Sequence, residues 1–122
     1  TLNYIYVDTG AMYRAVTLFA LQEGVIDEKG ELDEDALVEK LSKIHLKFVP
    51  NTETGRSDMF LNDENVEQEI RSMRVSGFVS PVAAIKEVRE KLVKIQVMHG
   101  LMMLLLALLM QMVVHGGLKT IR

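Results

Sequence analysis

The sequence contains no cysteine, which excludes disulfides, thiolate metal sites and a cysteine nucleophile, so stability must rest on packing. It also lacks an excess of positive charge: 14 basic residues against 17 acidic ones give a formal charge of -3. That balance argues against broad binding of a nucleic acid polymer, yet leaves room for a few arginines around a small anion. There is no internal repeat and no flexible linker. No basic segment followed by an apolar stretch opens the chain, so no signal peptide is expected and the expected setting is cytoplasmic. Residue 1 is Thr rather than Met, which reads as a fragment or trimmed chain. His99 and His115 stand far apart without a carboxylate or a third histidine at ligand spacing, and no metal site is expected.

The 122 residues amount to one domain or part of one, and their charge is unevenly spread. Residues 1–96 carry all 17 acidic side chains and every basic one except Lys119 and Arg122. Beyond them, residues 97–114 read VMHGLMMLLLALLMQMVV, interrupted only by His99, Gly100 and Gln111. This run sits at the short end of what crosses a bilayer, and membrane contact is not the preferred reading. A divergent core element, a dimerisation helix and a stretch of altered sequence all remain open, so self-association through residues 97–114 is carried as an alternative.

Tyr4 to Val7 form a β-branched and aromatic run suited to a buried parallel strand, ending at a turn, Asp8-Thr9-Gly10. Apolar positions at 11, 15, 18 and 19 predict a helix from Ala11 to Gln22, with Gly24 placed to end it. Asp33 is a good N-cap for a helix with Leu37, Leu41 and Ile44 on one face. Leu46 to Phe48, stopped by Pro50, and Met59 to Leu61 predict an antiparallel hairpin, with Asn62-Asp63 as the next turn. Ser80-Pro81 reads as N-cap and N1 of a longer helix carrying Ile85, Val88, Leu92 and Ile95. The expected divisions are 1–24 as strand, turn and helix, 25–96 as a binding region, and 97–122 as an apolar tail.

Two pairs of residues could carry chemistry. Thr9 and Arg14 fall within two helical turns of a strand end, where anions gather in α/β folds, and Arg14 could grip a phosphate bidentately. From spacing alone, Thr9 reads more readily as a turn residue and Arg14 as a solvated helix residue. Ser80 and Arg89 are separated by roughly 13 Å of helix, so only an extended ligand such as a nucleotide could touch both. A helix cap and a surface ion pair are the plainer reading of that pair.

The strings YVDTGAMYRAVTLFAL, LNDENVEQEIR and VSGFVSPVAAIKEVREKLVKIQ resemble successive blocks of bacterial cytidylate kinases, which transfer the γ-phosphoryl group of ATP to CMP or dCMP. The resemblance covers most of residues 4–96. It implies an α/β chain, part of a P-loop nucleoside-monophosphate-kinase-like fold with a small inserted α+β domain for the monophosphate. Carried over by position, Thr9 matches the Ser or Thr near the substrate phosphate and ribose, and Arg14 the arginine that binds the CMP phosphate. Ser80 matches a serine that reads the cytosine ring, Arg89 a base- and nucleotide-contacting arginine, and Asp8 a residue orienting the turn or substrate. No residue is assigned to catalysis itself.

The sequence also departs from that family. G-x-x-x-x-G-K-[ST], the loop that cradles ATP phosphates, is not found in it, and Gly116-Gly117-Leu118-Lys119-Thr120 has the wrong spacing. The D-G-R-D block and the arginine-rich lid are missing, and Gly77-Phe78 replace residues that are usually polar. ATP and Mg2+ are implied by the resemblance, but their site is not in this sequence. The expectation is a truncated (d)CMP kinase that keeps much of its monophosphate site and lacks independent activity. Its rival is a noncatalytic nucleotide-binding or self-associating protein with an apolar helical tail.

Overall fold

The computed structural model describes residues 8–120, with side chains through Val114; the expected strand at Tyr4 to Val7 lies outside the described residues. The chain divides into two units, one ending at Leu92 and the other beginning at Val93.

The first unit is organised around helix α1, Thr9–Gln22. The predicted turn at Asp8-Thr9-Gly10 is instead the helix start: Asp8 has extended backbone angles and its carboxylate accepts the Ala11 N–H at 3.1 Å. That bond satisfies one of the orphan donors of the first turn, which draws Thr9 and Gly10 into the helix. At the other end Gly24, at φ +73°, donates to Leu21 O, while Val25 N–H reaches Ala20 O at 2.9 Å. These paired bonds form a Schellman motif and need the left-handed conformation that glycine adopts without strain. Ala11, Met12, Ala15, Val16, Phe19 and Ala20 are all buried. Thr17 is buried as well, its hydroxyl satisfied by donating to Tyr13 O at 2.8 Å.

Helix α2, Glu34–Lys40, is capped by Asp33 as expected and tightens into a 3-10 turn at Leu41–Lys43. Its apolar face is the predicted one, with Leu37, Leu41 and Ile44 buried. Strands β1, Leu46–Asn51, and β2, Arg56–Leu61, pair antiparallel from Leu46 opposite Leu61 to Asn51 opposite Arg56. The short β3, Glu64–Asn65, completes a sheet of order β1-β2-β3. Asn62 and Asp63 both take positive φ, as a two-residue hairpin turn requires. Pro50 does not stop β1; it sits within the strand opposite Ser57. An edge strand tolerates the missing N–H there, because only one of its sides is hydrogen-bonded.

The predicted helix beginning at Ser80-Pro81 is divided. Helix α3, Met73–Ser76, is followed by α4, Val79–Ala83, and by α5, which starts at Lys86 and runs to Thr120. Ser80 is therefore the second residue of α4 rather than a cap, and the capping position is Phe78, which makes no side-chain capping bond. Pro81 still lies in a first turn, where its missing N–H costs nothing. The break follows where Ile85 N–H bonds to Val82 O, three residues back, which tightens the chain while Val82, Ile85 and Val88 are all buried. α1 packs on α3, α4, β2 and the 3-10 turn Glu69–Arg71. Met59 and Leu61 of β2, with Val66, Ile70 and Val75, are buried in the same unit.

The second unit, by itself, is the remainder of α5. Its large apolar side chains from Val97 to Val114 are mostly exposed, and the helix is long and apolar enough to cross a membrane by length and composition.

Candidate functional site

The site grows from the N-terminus of α1. A helical residue four positions on leans back over the preceding turn, and this brings the Arg14 guanidinium above Gly10 and beside Asp8. Arg14 Nη2 stands 3.9 Å from Asp8 Oδ2, an electrostatic contact too long for a hydrogen bond. The absence of a side chain at Gly10 makes this arrangement possible. A Cβ there would fall 3.1 Å from Arg14 Nη1 and 3.2 Å from Asp8 Oδ1. The Arg14 side chain is only 25% exposed, and its Nε is buried with no hydrogen-bond partner among the described residues. A buried donor without an acceptor is costly unless something else supplies one.

A cleft of about 420 Å³ opens at this end of α1, within the size range of small-molecule sites. Asp8 and Ala11 form one wall. The hairpin contributes Phe48, Gly55, Arg56 and Ser57, and the segment before α3 contributes Glu67 and Arg71. Glu67 is the most connected of these: one oxygen accepts the Met59 N–H of β2 at 2.9 Å, and the other accepts Nε and Nη2 of Arg71 at 2.9 and 2.7 Å.

Of the residues expected from the sequence, the structure brings Asp8 and Arg14 together, with Thr9 exposed on the same turn. Ser80 and Arg89 are exposed on α4 and α5, and of the five expected residues only Asp8 is among the walls of this cleft; Thr9, Arg14, Ser80 and Arg89 are not. Sequence reasoning passed over Arg56, Glu67 and Arg71. The last two stand at i and i+4 inside LNDENVEQEIR, so their pairing was readable there. Arg56 gave no such signal, because it enters the cleft only through the hairpin register.

Residues 1–102 match the cytidylate kinase family. The chain is 56% identical over 95 residues to the cytidylate kinase of Phocaeicola vulgatus, an alignment covering 78% of this chain and 41% of that protein. It is 53% identical over 95 residues to that of Flavobacterium johnsoniae, with the same coverage. With the Porphyromonas gingivalis enzyme it shares 50% identity over 99 residues, 81% of this chain and 42% of the relative. The chain thus spans about two-fifths of the length of these relatives. The family match ends inside the apolar run of α5, and residues 103–122 lie outside it.

Proposed function

The chain belongs to the cytidylate kinase family, and on that premise we propose that it supplies the monophosphate-binding part of a (d)CMP kinase. The observation that carries this reading is Arg14: held at a helix start, mostly buried, with Nε unpartnered among the described residues. Its forked donors suit phosphate oxygens. Thr9, exposed at the first position of α1, is the proposed donor to the substrate phosphate or the ribose. Ser80 and Arg89 are the proposed contacts to the cytosine, and Asp8 holds the helix start that orients Arg14. Residues 25–96 are read as the monophosphate-binding region. A cytoplasmic setting accords with this role.

Phosphoryl transfer asks the protein to hold two nucleotides in line and to neutralise developing charge. The residues of this chain serve the acceptor side: they bind the monophosphate, orient it and cover it from water. They do not fit the ATP side. The backbone from Gly116 to Thr120 is helical, so its N–H groups are turned along a helix and do not line a phosphate cradle. The 122 residues alone are therefore expected to bind CMP without turning it over.

Calorimetry decides the binding claim: the folded chain should prefer CMP to AMP, and Arg14→Ala should weaken CMP roughly tenfold or more, the usual cost of losing a charge-assisted bond. Equal binding of CMP and AMP by folded protein would remove the substrate assignment. Robust turnover in a coupled assay with ATP, Mg2+ and CMP would refute the absence of independent activity. A second reading, a self-associating protein, draws on the exposed apolar side chains of α5.

A further inference from the structure

We propose that Glu67 is a positioning residue that holds Arg71 against the cleft as a second phosphate-binding arginine, a role that rests on reading the cleft as a monophosphate site. A nucleoside monophosphate brings a charge of roughly -1.5 to -2 near neutral pH. Arg14 carries one positive charge, offset in part by Asp8 at 3.9 Å, and is not itself a wall of the cleft. Arg71 is such a wall; Glu67 offsets its charge in turn, so what it offers a phosphate is a set of fixed N–H donors.

Arg71 is the arginine of the cleft whose position is built in. An ordinary exposed pair at i and i+4 is loosely held and contributes little. Here the acceptor is anchored. Glu67 Oε1 is tied to the Met59 N–H, and Met59 itself has no exposed surface, so the carboxylate is fixed to the core strand at one end. Its other oxygen takes two donors from one edge of the Arg71 guanidinium, which sets the plane of the group. A guanidinium has five N–H donors, and Glu67 is the only hydrogen-bond partner of this one among the described residues. The remaining donors sit on a side chain that is 52% exposed and lines the cleft. The Glu67 side chain is only 23% exposed, as suits a support rather than a ligand contact.

The test is calorimetry on the full 122-residue chain with CMP and with cytidine, the same ligand without its phosphate, after circular dichroism has confirmed folding of each variant. Arg71→Ala should lower CMP affinity roughly ten- to hundredfold and leave cytidine affinity unchanged. Glu67→Gln keeps an oxygen for the Met59 N–H but loses the charge that holds Arg71, and should give a smaller loss, again confined to CMP. Equal losses for CMP and cytidine would show a merely structural role and overturn the proposal. So would normal CMP binding by Arg71→Ala while Arg14→Ala is impaired, which would leave the site reading standing. Normal CMP binding by Glu67→Gln beside an impaired Arg71→Ala would overturn the positioning role. Absence of CMP binding by the folded wild-type chain would overturn the site reading and this assignment together.

Discussion

At Gly10, binding is expected to respond more strongly than stability. Gly10 is the second residue of α1, a position where alanine normally strengthens a helix by roughly 0.5–1 kcal/mol. The added methyl would stand 3.1 Å from Arg14 Nη1 and 3.2 Å from Asp8 Oδ1, closer than such contacts usually run. Both neighbours must give way by a few tenths of an ångström: the Arg14 guanidinium, and Asp8 Oδ1, which caps the helix through the Ala11 N–H. The helix gain and the strained cap oppose each other, so Gly10→Ala should leave the melting temperature nearly unchanged while weakening CMP binding several-fold. A parallel thermal melt and titration checks this, and unchanged affinity would mean that the Arg14 position is not critical. Arg14 was readable as a candidate in the sequence, because helix, turn and guanidinium spacing are local properties. Its dependence on an empty position at Gly10 was not, since that follows from a side chain folding back over the preceding turn.

At the scale of elements, the two aspartate caps offer a matched comparison. Asp8 and Asp33 each accept a backbone N–H three residues on, at 3.1 Å. Asp33 caps α2 and takes no part in the cleft. Asp33→Ala should cost about 0.5–2 kcal/mol of unfolding free energy in a denaturant titration, with CMP affinity unchanged. Loss of affinity would show that α2 influences the site. The Asp33 cap, the stop at Gly24 and the hairpin were legible, because side-chain chemistry within a few residues decides them, whereas Asp8 read as a turn and proved a cap, and Ser80 read as a cap and proved an interior residue of α4. The division at Ile85 was not, since the apolar spacing of Val82, Ile85 and Val88 fits an unbroken helix equally well. Tertiary burial of all three selects the broken path. The cleft was only half legible for the same reason: α1 announces itself locally, whereas Arg56 arrives through pairing of Asn51 with Arg56 across the hairpin. Met59 links these elements, being fully buried while its N–H is held by Glu67. Met59→Ala should cost about 2–5 kcal/mol by leaving a cavity under β2.

At the scale of the whole molecule, the second unit presents a surface that water does not tolerate for long. Between Val97 and Val114 the exposed large apolar side chains retain 47–70% of their accessible surface. They surround the helix, since residues 101–110 are all apolar and a ten-residue run covers every face. Contiguous apolar surface of this extent marks contact with a partner or a lipid phase. The run is about 27 Å long as helix, close to the roughly 30 Å of a bilayer core. A single-sided stripe would favour a second copy; an all-round apolar helix suits a detergent or lipid environment at least as well. Both destinations predict that the intact chain migrates as an oligomer or a detergent-bound species, and that deleting residues 97–122 returns a monomer in light scattering. The deletion leaves intact the unit ending at Leu92, which contains the cleft, so CMP affinity should stay within about twofold of the intact chain. An intact chain that is monomeric in plain buffer would rule out the associating role. A deletion that abolishes CMP binding while the remaining residues stay folded would instead show that the nucleotide site extends beyond Gln96.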